Sequence, residues 1–309
     1  MAHDAVRAGL RDVATGLLTP FDDDREIDHD ALAENARTLS GAGVRTVLAC
    51  ANVSEYHALS HEERIAVVET GVGALPDDVT VLAGAGGSTE TTVDLATAHE
   101  RAGADAIMVM PPHHTYRHER GLLEYYRAVG DAVGIPLVPY LRGFDPSVGF
   151  VADLTHLDTV AGIKWTLPDV PAFVEAVRAG ADDVVWVNGL GEPYALALHA
   201  EGAEGLSSGI GNFEPAVGIA LFEAIERGDS DRARRIRDAA LPFMNFREET
   251  GTNNVLPGAN SVPALKAALE FAGMHGGPVR EPLVELSAAD RRRARELYDD
   301  LAAFVEAEL

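Results

Sequence analysis

The sequence predicts an α/β protein, a (β/α)8 or TIM barrel with a C-terminal helical extension. Eight short apolar runs recur along the chain, and a helical segment follows each of them. The turns that lead from helix to strand are also alike, as in Gly41-Ala-Gly-Val-Arg-Thr46 and Glu201-Gly-Ala-Glu-Gly205, where glycine ends the helix. Eight alternating units with short connections favour a closed barrel over an open, doubly wound sheet.

Local signals mark individual elements. The predicted strands lie at 14–19, 46–50, 79–83, 106–110, 136–140, 161–165, 184–187 and 205–208. Pro20 closes the first strand, Asp28 can cap the helix after it, and Ser60-His-Glu-Glu63 forms a capping box for the next helix. Three more helical segments follow the eighth unit, at about 230–247, 262–272 and 287–307. We therefore assign residues 1–228 to the barrel and 229–309 to the extension packed on it.

Composition excludes several classes of protein. The 309 residues are 47% hydrophobic, which is ample for a core, but no run reaches the roughly 18 apolar residues that a membrane span needs. The first residues lack the apolar stretch of a signal peptide, so we expect a soluble, cytoplasmic protein. A single cysteine, Cys50, excludes an internal disulfide and a cysteine-based metal site. Gly84-Ala-Gly-Gly87 does not complete a dinucleotide-binding fingerprint, which disfavours a nicotinamide enzyme.

Lysine is nearly absent from the chain. Only Lys164 and Lys266 occur among 25 basic residues, and Lys164 lies near the C-terminal end of the predicted buried strand at 161–165. A lysine amine in an apolar pocket can lose its proton near neutral pH and attack carbonyl carbon, whereas arginine stays protonated. The sequence therefore makes Lys164 a candidate nucleophile. The alternative is an ordinary lysine whose amine reaches the surface.

In a barrel of this class the active site lies at the C-terminal ends of the strands. The candidate residues at these ends are Asn52, Val53 and Ser54 after strand two, His114 after strand four, Tyr140 and Arg142 at strand five, Lys164 on strand six, and Ser207 and Ser208 on strand eight. We predict that Lys164 attacks a ketone and that Tyr140 moves protons. Backbone N–H groups near residues 52–54 are expected to hold a carboxylate of a 2-oxo acid.

Other interpretations remain open for these residues. Tyr140 could be an amphipathic side chain that fills the barrel rim, and the serines could simply tolerate a glycine-rich turn. His113, His114 and His118 suggest a metal-dependent aldolase, but their loop lacks the spacing of metal ligands, so we predict no metal. A barrel that binds a 2-oxo acid without turning it over is a third possibility.

Several stretches resemble the dihydrodipicolinate synthase and N-acetylneuraminate lyase superfamily of Schiff-base lyases. The matching stretches are Gly16-Leu-Leu-Thr-Pro-Phe21, residues 55–64, Pro136-Leu-Val-Pro-Tyr140, Gly162-Ile-Lys164 and Asn260-Ser-Val-Pro-Ala-Leu-Lys266. The resemblance implies that Lys164 forms the Schiff base and that Tyr140 is the catalytic tyrosine. It further implies that no cofactor is needed and that the protein is a homotetramer.

The departures from this family bear on the substrate. The family's Gly-Thr-Thr-Gly-Glu loop is here Ala51-Asn-Val-Ser-Glu55, and the synthase's relay tyrosine aligns with His114. The synthase arginine aligns with Asp145. Arg142 instead stands two residues after Tyr140, an arrangement similar to that of the family branch that dehydrates 5-keto-4-deoxyglucarate. Arg142 offers a partner for a carboxylate, and Asn52, Ser207, Ser208 and His114 offer partners for hydroxyls. We therefore expect aldol cleavage or dehydration of a 2-keto-3-deoxy sugar acid, with 4-hydroxy-tetrahydrodipicolinate synthesis as the alternative.

The net charge of −24 disfavours nucleic acid and anionic membranes as partners. An acidic, lysine-poor composition resembles proteins of salt-accumulating organisms, although a merely acidic protein is the alternative. Screening by salt weakens repulsion between the surface carboxylates, because the Debye length shrinks to about 3 Å at 1 M.

We predict that thermal stability rises as KCl or NaCl approaches molar concentrations, because screening then removes the repulsion among the negative charges. Thermal unfolding followed by circular dichroism would measure the effect. A melting temperature that stays flat between roughly 0.1 and 2 M salt would contradict the salt-adapted interpretation.

Overall fold

A computed structural model, which describes residues 2–113 and 115–309, has the predicted barrel. Eight parallel strands pair in sequence order, and the eighth closes the barrel by pairing with the first. The strands are β1 (Val13–Gly16), β2 (Thr46–Ala49), β3 (Thr80–Ala85), β4 (Ala106–Val109), β5 (Leu137–Leu141), β6 (Gly162–Trp165), β7 (Val185–Asn188) and β8 (Gly205–Ser208). The fold class expected from the eight repeated units is therefore confirmed.

Eight of the helices alternate with the strands, and three form the extension. The helices are α1 (Ala2–Leu10), α2 (His29–Gly41), α3 (His61–Ala74), α4 (Thr89–Ala102), α5 (Glu119–Ala132), α6 (Val148–Thr155), α7 (Val170–Ala179), α8 (Ala195–Ala200), α9 (Pro215–Glu226), α10 (Ser230–Arg247), α11 (Ser261–Phe271) and α12 (Ala288–Glu308). None of those in the described ranges is both long and apolar enough to cross a membrane. The three extension helices lie within one residue of the predicted segments, whereas α1 was not predicted.

The first strand is shorter than the predicted run at 14–19. β1 ends at Gly16, and only the N–H of Leu17 continues the ladder, by donating to the carbonyl of Leu48. Further on, the Thr19 hydroxyl donates to the carbonyl of Ser54 at 2.8 Å. The end of this run, residues 17–19, therefore lies outside the strand, and Thr19 binds the loop after β2 through this hydrogen bond. Apolar content alone does not distinguish these two uses.

Helix α1 ends beneath the barrel, where Leu10 fills the N-terminal end. A Cβ atom at Gly162 would lie 2.6 Å from the side chain of Leu10, and one at Gly205 would lie 1.9 Å from the carbonyl oxygen of Leu10. Two strands therefore need glycine where α1 approaches them. Above Leu10, apolar side chains from five strands surround the stem of Lys164: Ala14, Leu48, Leu82, Val138 and Val187. The barrel is closed below and opens at the C-terminal ends of its strands.

The extension shares a core with one side of the barrel. Leu206 and Phe213 belong to the same buried cluster as Phe243 of α10 and Leu265 of α11. The rings of Phe213 and Phe243 are 4.9 Å apart between centroids. Barrel and extension are thus joined by continuous apolar packing, and α10 and α11 lie where they can contribute to the mouth of the barrel.

A buried ion pair also joins α11 to the loop after β2. Lys266 Nζ lies 2.5 Å from Glu55 Oε1, and both side chains are almost fully buried. The other carboxylate oxygen of Glu55 accepts a hydrogen bond from the backbone N–H of Arg280 at 2.9 Å. The centroid of the Phe21 ring lies 4.3 Å from Lys266 Nζ. Glu55 has a left-handed backbone, with φ of 58°. Its interaction with Lys266 fixes the end of the loop that carries residues 52–54.

Candidate active site

Lys164 and Tyr140 are side-by-side neighbours inside the barrel. The two residues are register partners in β6 and β5, so their side chains point to the same face of the sheet. Lys164 Nζ lies 4.7 Å from the centroid of the Tyr140 ring, and both residues are buried. The sheet register thus brings a primary amine and a phenol together, as the sequence predicted.

The Lys164 amine lies in an apolar environment without a counter-ion. Burial, followed by the positive charge of Arg142, lowers the pKa of Lys164 to about 7. Within residues 2–113 and 115–309, no carboxylate lies within 4 Å of Nζ that would restore the charged form. Gly189, just after β7, leaves room for the stem, since a Cβ there would lie 2.9 Å from Lys164 Cγ. The site therefore favours a neutral, nucleophilic amine near pH 7.

The Tyr140 hydroxyl has two polar neighbours at the mouth of the barrel. Asn52 Nδ2 lies 3.5 Å away and Arg142 Nη1 lies 3.4 Å away, both at the long end of hydrogen-bonding distance. Asn52 Oδ1 is buried without a partner in the described structure. Arg142 is exposed to solvent. These groups leave the phenol able to exchange partners when a substrate enters.

The loop after β2 offers backbone amides to the cavity. Asn52–Ser54 form a short 3-10 turn, whose first N–H groups have no acceptor within the turn. Ser54, by contrast, supports the loop from beneath. Its hydroxyl accepts the Ala51 N–H at 3.0 Å and donates to the Leu17 carbonyl at 2.6 Å, while its own N–H donates to the Ala51 carbonyl. Ser54 is fully buried and its N–H is already used, so only the amides of Asn52 and Val53 remain as candidates for the carboxylate contact predicted at this loop.

The two serines of β8 differ in their surroundings. Ser207 is half-buried and borders the cavity close to Lys164. The Ser208 hydroxyl donates to the buried carboxylate of Glu192 at 2.5 Å and accepts the Gly211 N–H at 2.7 Å. Ser208 is therefore engaged in the turn after the strand, and its hydroxyl is not free for a substrate. Sequence spacing gave no indication of its bond to Glu192.

A cavity of about 900 Å³ unites most of the predicted residues. Its walls include Asn52, Val53, Tyr140, Arg142, Lys164, Ser207 and Ser208. Ser54 lies behind the wall, and His114 lies outside the described residues. The cavity also includes Arg247 from α10, which the sequence interpretation missed because it considered only strand ends. Its signal, an arginine in the last turn of a predicted helix, is common and unspecific.

The histidine loop does not form a cluster in the described ranges. His113 packs its ring edge against His57, with centroids 4.5 Å apart, whereas the His118 ring accepts the N–H of Arg120 at the start of α5. No group of three metal-binding side chains occurs in residues 2–113 and 115–309. The predicted metal-binding alternative also included His114, which these ranges leave out.

Comparisons with known proteins agree with this geometry. A model of the dihydrodipicolinate synthetase family matches residues 9–300. The 4-hydroxy-tetrahydrodipicolinate synthase of Natronomonas pharaonis is 30% identical over 307 residues, covering 97% of this chain and 99% of the relative. A Streptomyces coelicolor protein named a probable 5-dehydro-4-deoxyglucarate dehydratase is 32% identical over 279 residues, covering 87% and 85% of the two chains.

The same similarity appears in a solved structure. The crystal structure of dihydrodipicolinate synthase from Oceanobacillus iheyensis is 28% identical in sequence and superposes with a TM-score of 0.92. The superposition covers 98% of this chain and all of the other. Family model, relatives and structure therefore agree across both the barrel and the extension. The chain belongs to the dihydrodipicolinate synthetase family and is a lyase.

Proposed function

We propose that this lyase forms an iminium between Lys164 and a 2-oxo acid, and that it cleaves or dehydrates a 2-keto-3-deoxy sugar acid. One observation carries the proposal: a buried amine without a counter-ion, its pKa lowered to about 7, stands beside the Tyr140 phenol in a cavity large enough for a small ligand. The amine itself supplies the electrophilic catalysis, so no bound cofactor is part of the proposal.

The first step is attack of the Lys164 nitrogen on the carbonyl carbon, C2. Tyr140 donates one proton to the carbonyl oxygen and the attacking nitrogen loses another to it, so the oxygen leaves as water and the protonated imine remains. The amides of Asn52 and Val53 hold the carboxylate next to C2. Asn52 and Arg142 are close enough to the phenol to support it while it gains and loses protons.

Two outcomes can follow from the iminium. In cleavage, the C4 hydroxyl loses its proton and the C3–C4 bond breaks, which releases an aldehyde and leaves the enamine of pyruvate on Lys164. In dehydration, a proton leaves C3 and the hydroxyl leaves C4 as water. Tyr140 is the proposed acid–base group in both cases. After cleavage, a proton is added to C3 of the enamine to give the iminium. In both cases water finally hydrolyses the product iminium and frees the lysine.

The surroundings of the amine support a polyhydroxy acid as substrate. Arg142 offers a carboxylate partner, while Asn52 and Ser207 offer hydrogen bonds to hydroxyls. Asp145, at the position of the synthase arginine, is exposed and lies outside the cavity wall. Condensation to 4-hydroxy-tetrahydrodipicolinate is the second candidate, and the Natronomonas pharaonis relative of that name favours it.

We further propose that the protein works as a cytoplasmic homotetramer, as the resemblance to its superfamily implies. Four large apolar side chains, Tyr116, Val255, Leu256 and Val284, are more than two-thirds exposed on the single chain. Val255 and Leu256 are adjacent in the chain, and together they offer exposed apolar area for a contact between subunits. The net charge of −24 supports adaptation to high salt. The proposed partners are a 2-oxo acid substrate and other copies of the same chain.

Trapping with cyanoborohydride and pyruvate should give one covalent adduct, on Lys164. Lys266 is an internal control, because its amine is equally buried but paired with Glu55. The adduct should form faster as the pH rises through about 7, since the neutral amine is the nucleophile. Arg142→Gln should move this midpoint upward, because it removes a positive charge that lowers the pKa. Mass spectrometry would locate and quantify the adduct.

Lys164→Ala should abolish both the adduct and turnover, and a chelator should leave the wild-type enzyme unaffected. Metal-dependent turnover that survives in Lys164→Ala would instead establish the metal-dependent alternative.

Tyr140→Phe removes the phenolic hydroxyl but keeps the ring, so folding should be preserved. A well-placed proton-transfer group contributes about 10²- to 10⁴-fold in rate, and kcat should fall on this scale. Tyr298→Phe, which removes a hydroxyl from α12 away from the cavity, is the matched control. If Tyr140→Phe reduces kcat less than about threefold, another group carries the proton.

The substrate class can be measured with a panel of 2-keto-3-deoxy acids, assayed separately for pyruvate release and for loss of water. We expect at least one of these acids to turn over, and the two readouts separate cleavage from dehydration. Efficient condensation of pyruvate with aspartate semialdehyde, together with inactivity across the panel, would favour the synthase alternative.

A further inference from the structure

Arg247 places a buried positive charge in the wall of the cavity that contains Lys164. It is the last residue of α10, and its side chain is only 7% exposed. No other arginine in residues 2–113 and 115–309 is buried. Because an arginine in a protein interior remains protonated, burial without an anionic partner is costly.

The guanidinium of Arg247 is poorly satisfied by the protein. Nη2 donates to the Ser261 hydroxyl at 3.1 Å, Nη1 lies 3.3 Å from the Met244 sulfur, and Nε is buried without a partner. A thioether is a weak acceptor. The guanidinium, which has five N–H donors, therefore makes only one good hydrogen bond among the described residues, to Ser261. In the described ranges no carboxylate lies within 4 Å of this group to form an ion pair. The nearby carboxylate of Glu192 is already bonded by Ser208.

The turn after β8 is shaped around this guanidinium. A Cβ at Gly209 would lie only 2.3 Å from Arg247 Nη1, so the absence of a side chain at Gly209 allows the group to reach its position. Gly209 and Arg142 both border the same cavity. Burial lowers the pKa of Arg247; the carboxylates of Glu192 and Glu248 act against this shift, and the positive charge of Arg142 adds to it. Two cations that have no ion-pair partner among the described residues therefore border one ligand cavity, and both favour an anionic ligand.

We propose that Arg247 binds a second carboxylate, at the end of the substrate remote from the carbonyl that Lys164 attacks. This inference rests on the proposed function and narrows it: the substrate is a 2-oxo acid with a carboxylate at each end, rather than one that ends in a hydroxymethyl group. An incoming carboxylate would accept hydrogen bonds from the donors that the protein leaves unused. Arg247 is thus a specificity-determining residue supplied by the extension.

The test compares two six-carbon 2-keto-3-deoxy acids that differ only in the terminal group, a carboxylate or a hydroxymethyl. The wild-type enzyme should prefer the diacid. Arg247→Gln should reduce kcat/KM for the diacid by about 10- to 100-fold, mainly through KM, and change that for the monoacid less than about threefold. Arg247→Lys keeps the charge but loses the forked geometry, so it should retain part of the preference.

Two controls separate this inference from the proposed function. Arg235→Gln changes an exposed arginine on the same helix and should leave the preference intact. Trapping of pyruvate on Lys164 should be unchanged in Arg247→Gln, because pyruvate has no second carboxylate. If wild-type enzyme traps no pyruvate, the proposed function fails; if trapping is normal but Arg247→Gln affects both acids equally, or neither, the role of Arg247 is overturned.

A measurement on the wild-type enzyme keeps the inference testable even if the Arg247 variants do not fold. 2-Oxohexanedioate and 2-oxohexanoate have the same chain length, but only the first has a second carboxylate. As competitors of pyruvate trapping, the diacid should bind at least about tenfold more tightly than the monoacid. Equal inhibition by the two would overturn the assignment.

Discussion

Desolvation of one amine is the constraint on which the site depends. Lys164 reaches the barrel interior between apolar side chains, above a floor closed by Leu10. A nearby carboxylate would restore its proton and suppress its nucleophilicity. The buried acids at this end of the barrel are engaged elsewhere, since Glu55 is bound by Lys266 and Glu192 by the Ser208 hydroxyl. Both buried carboxylates are therefore bonded to other groups, and no described carboxylate lies close enough to act as a counter-ion for the Lys164 amine.

The C-terminal extension is part of the site as well as of the core. Lys266 holds the loop that carries Asn52 and Val53, and Arg247 forms part of the cavity wall. The division at residue 228 follows the order of helices along the chain. Packing crosses it, because Phe213 before the division contacts Phe243 after it. Loss of the extension would expose apolar surface and remove the cation that pairs with Glu55.

The barrel and its two central residues could be predicted because their signals are local. Repeated apolar runs gave the strands, and the rarity of lysine singled out Lys164. Ser54 and Ser208 were placed correctly along the chain, but their hydrogen bonds depend on groups brought near by folding. The Ser54 hydroxyl donates to the carbonyl of Leu17, and the Ser208 hydroxyl donates to the carboxylate of Glu192. Arg247 was missed for the same reason, since only tertiary packing carries a helix end into the barrel mouth.

The choice of arginine for nearly every surface cation has a chemical consequence outside the active site. The only side-chain amines are those of Lys164 and Lys266, and neither is exposed. Guanidinium groups stay protonated, whereas a Schiff base requires a neutral primary amine such as that of lysine. Reducing sugars, aldehydes and acylating metabolites therefore find no lysine on the outside of this protein. Imine formation on a lysine of this protein is thus confined to the barrel interior, where the cavity gives access to the amine of Lys164.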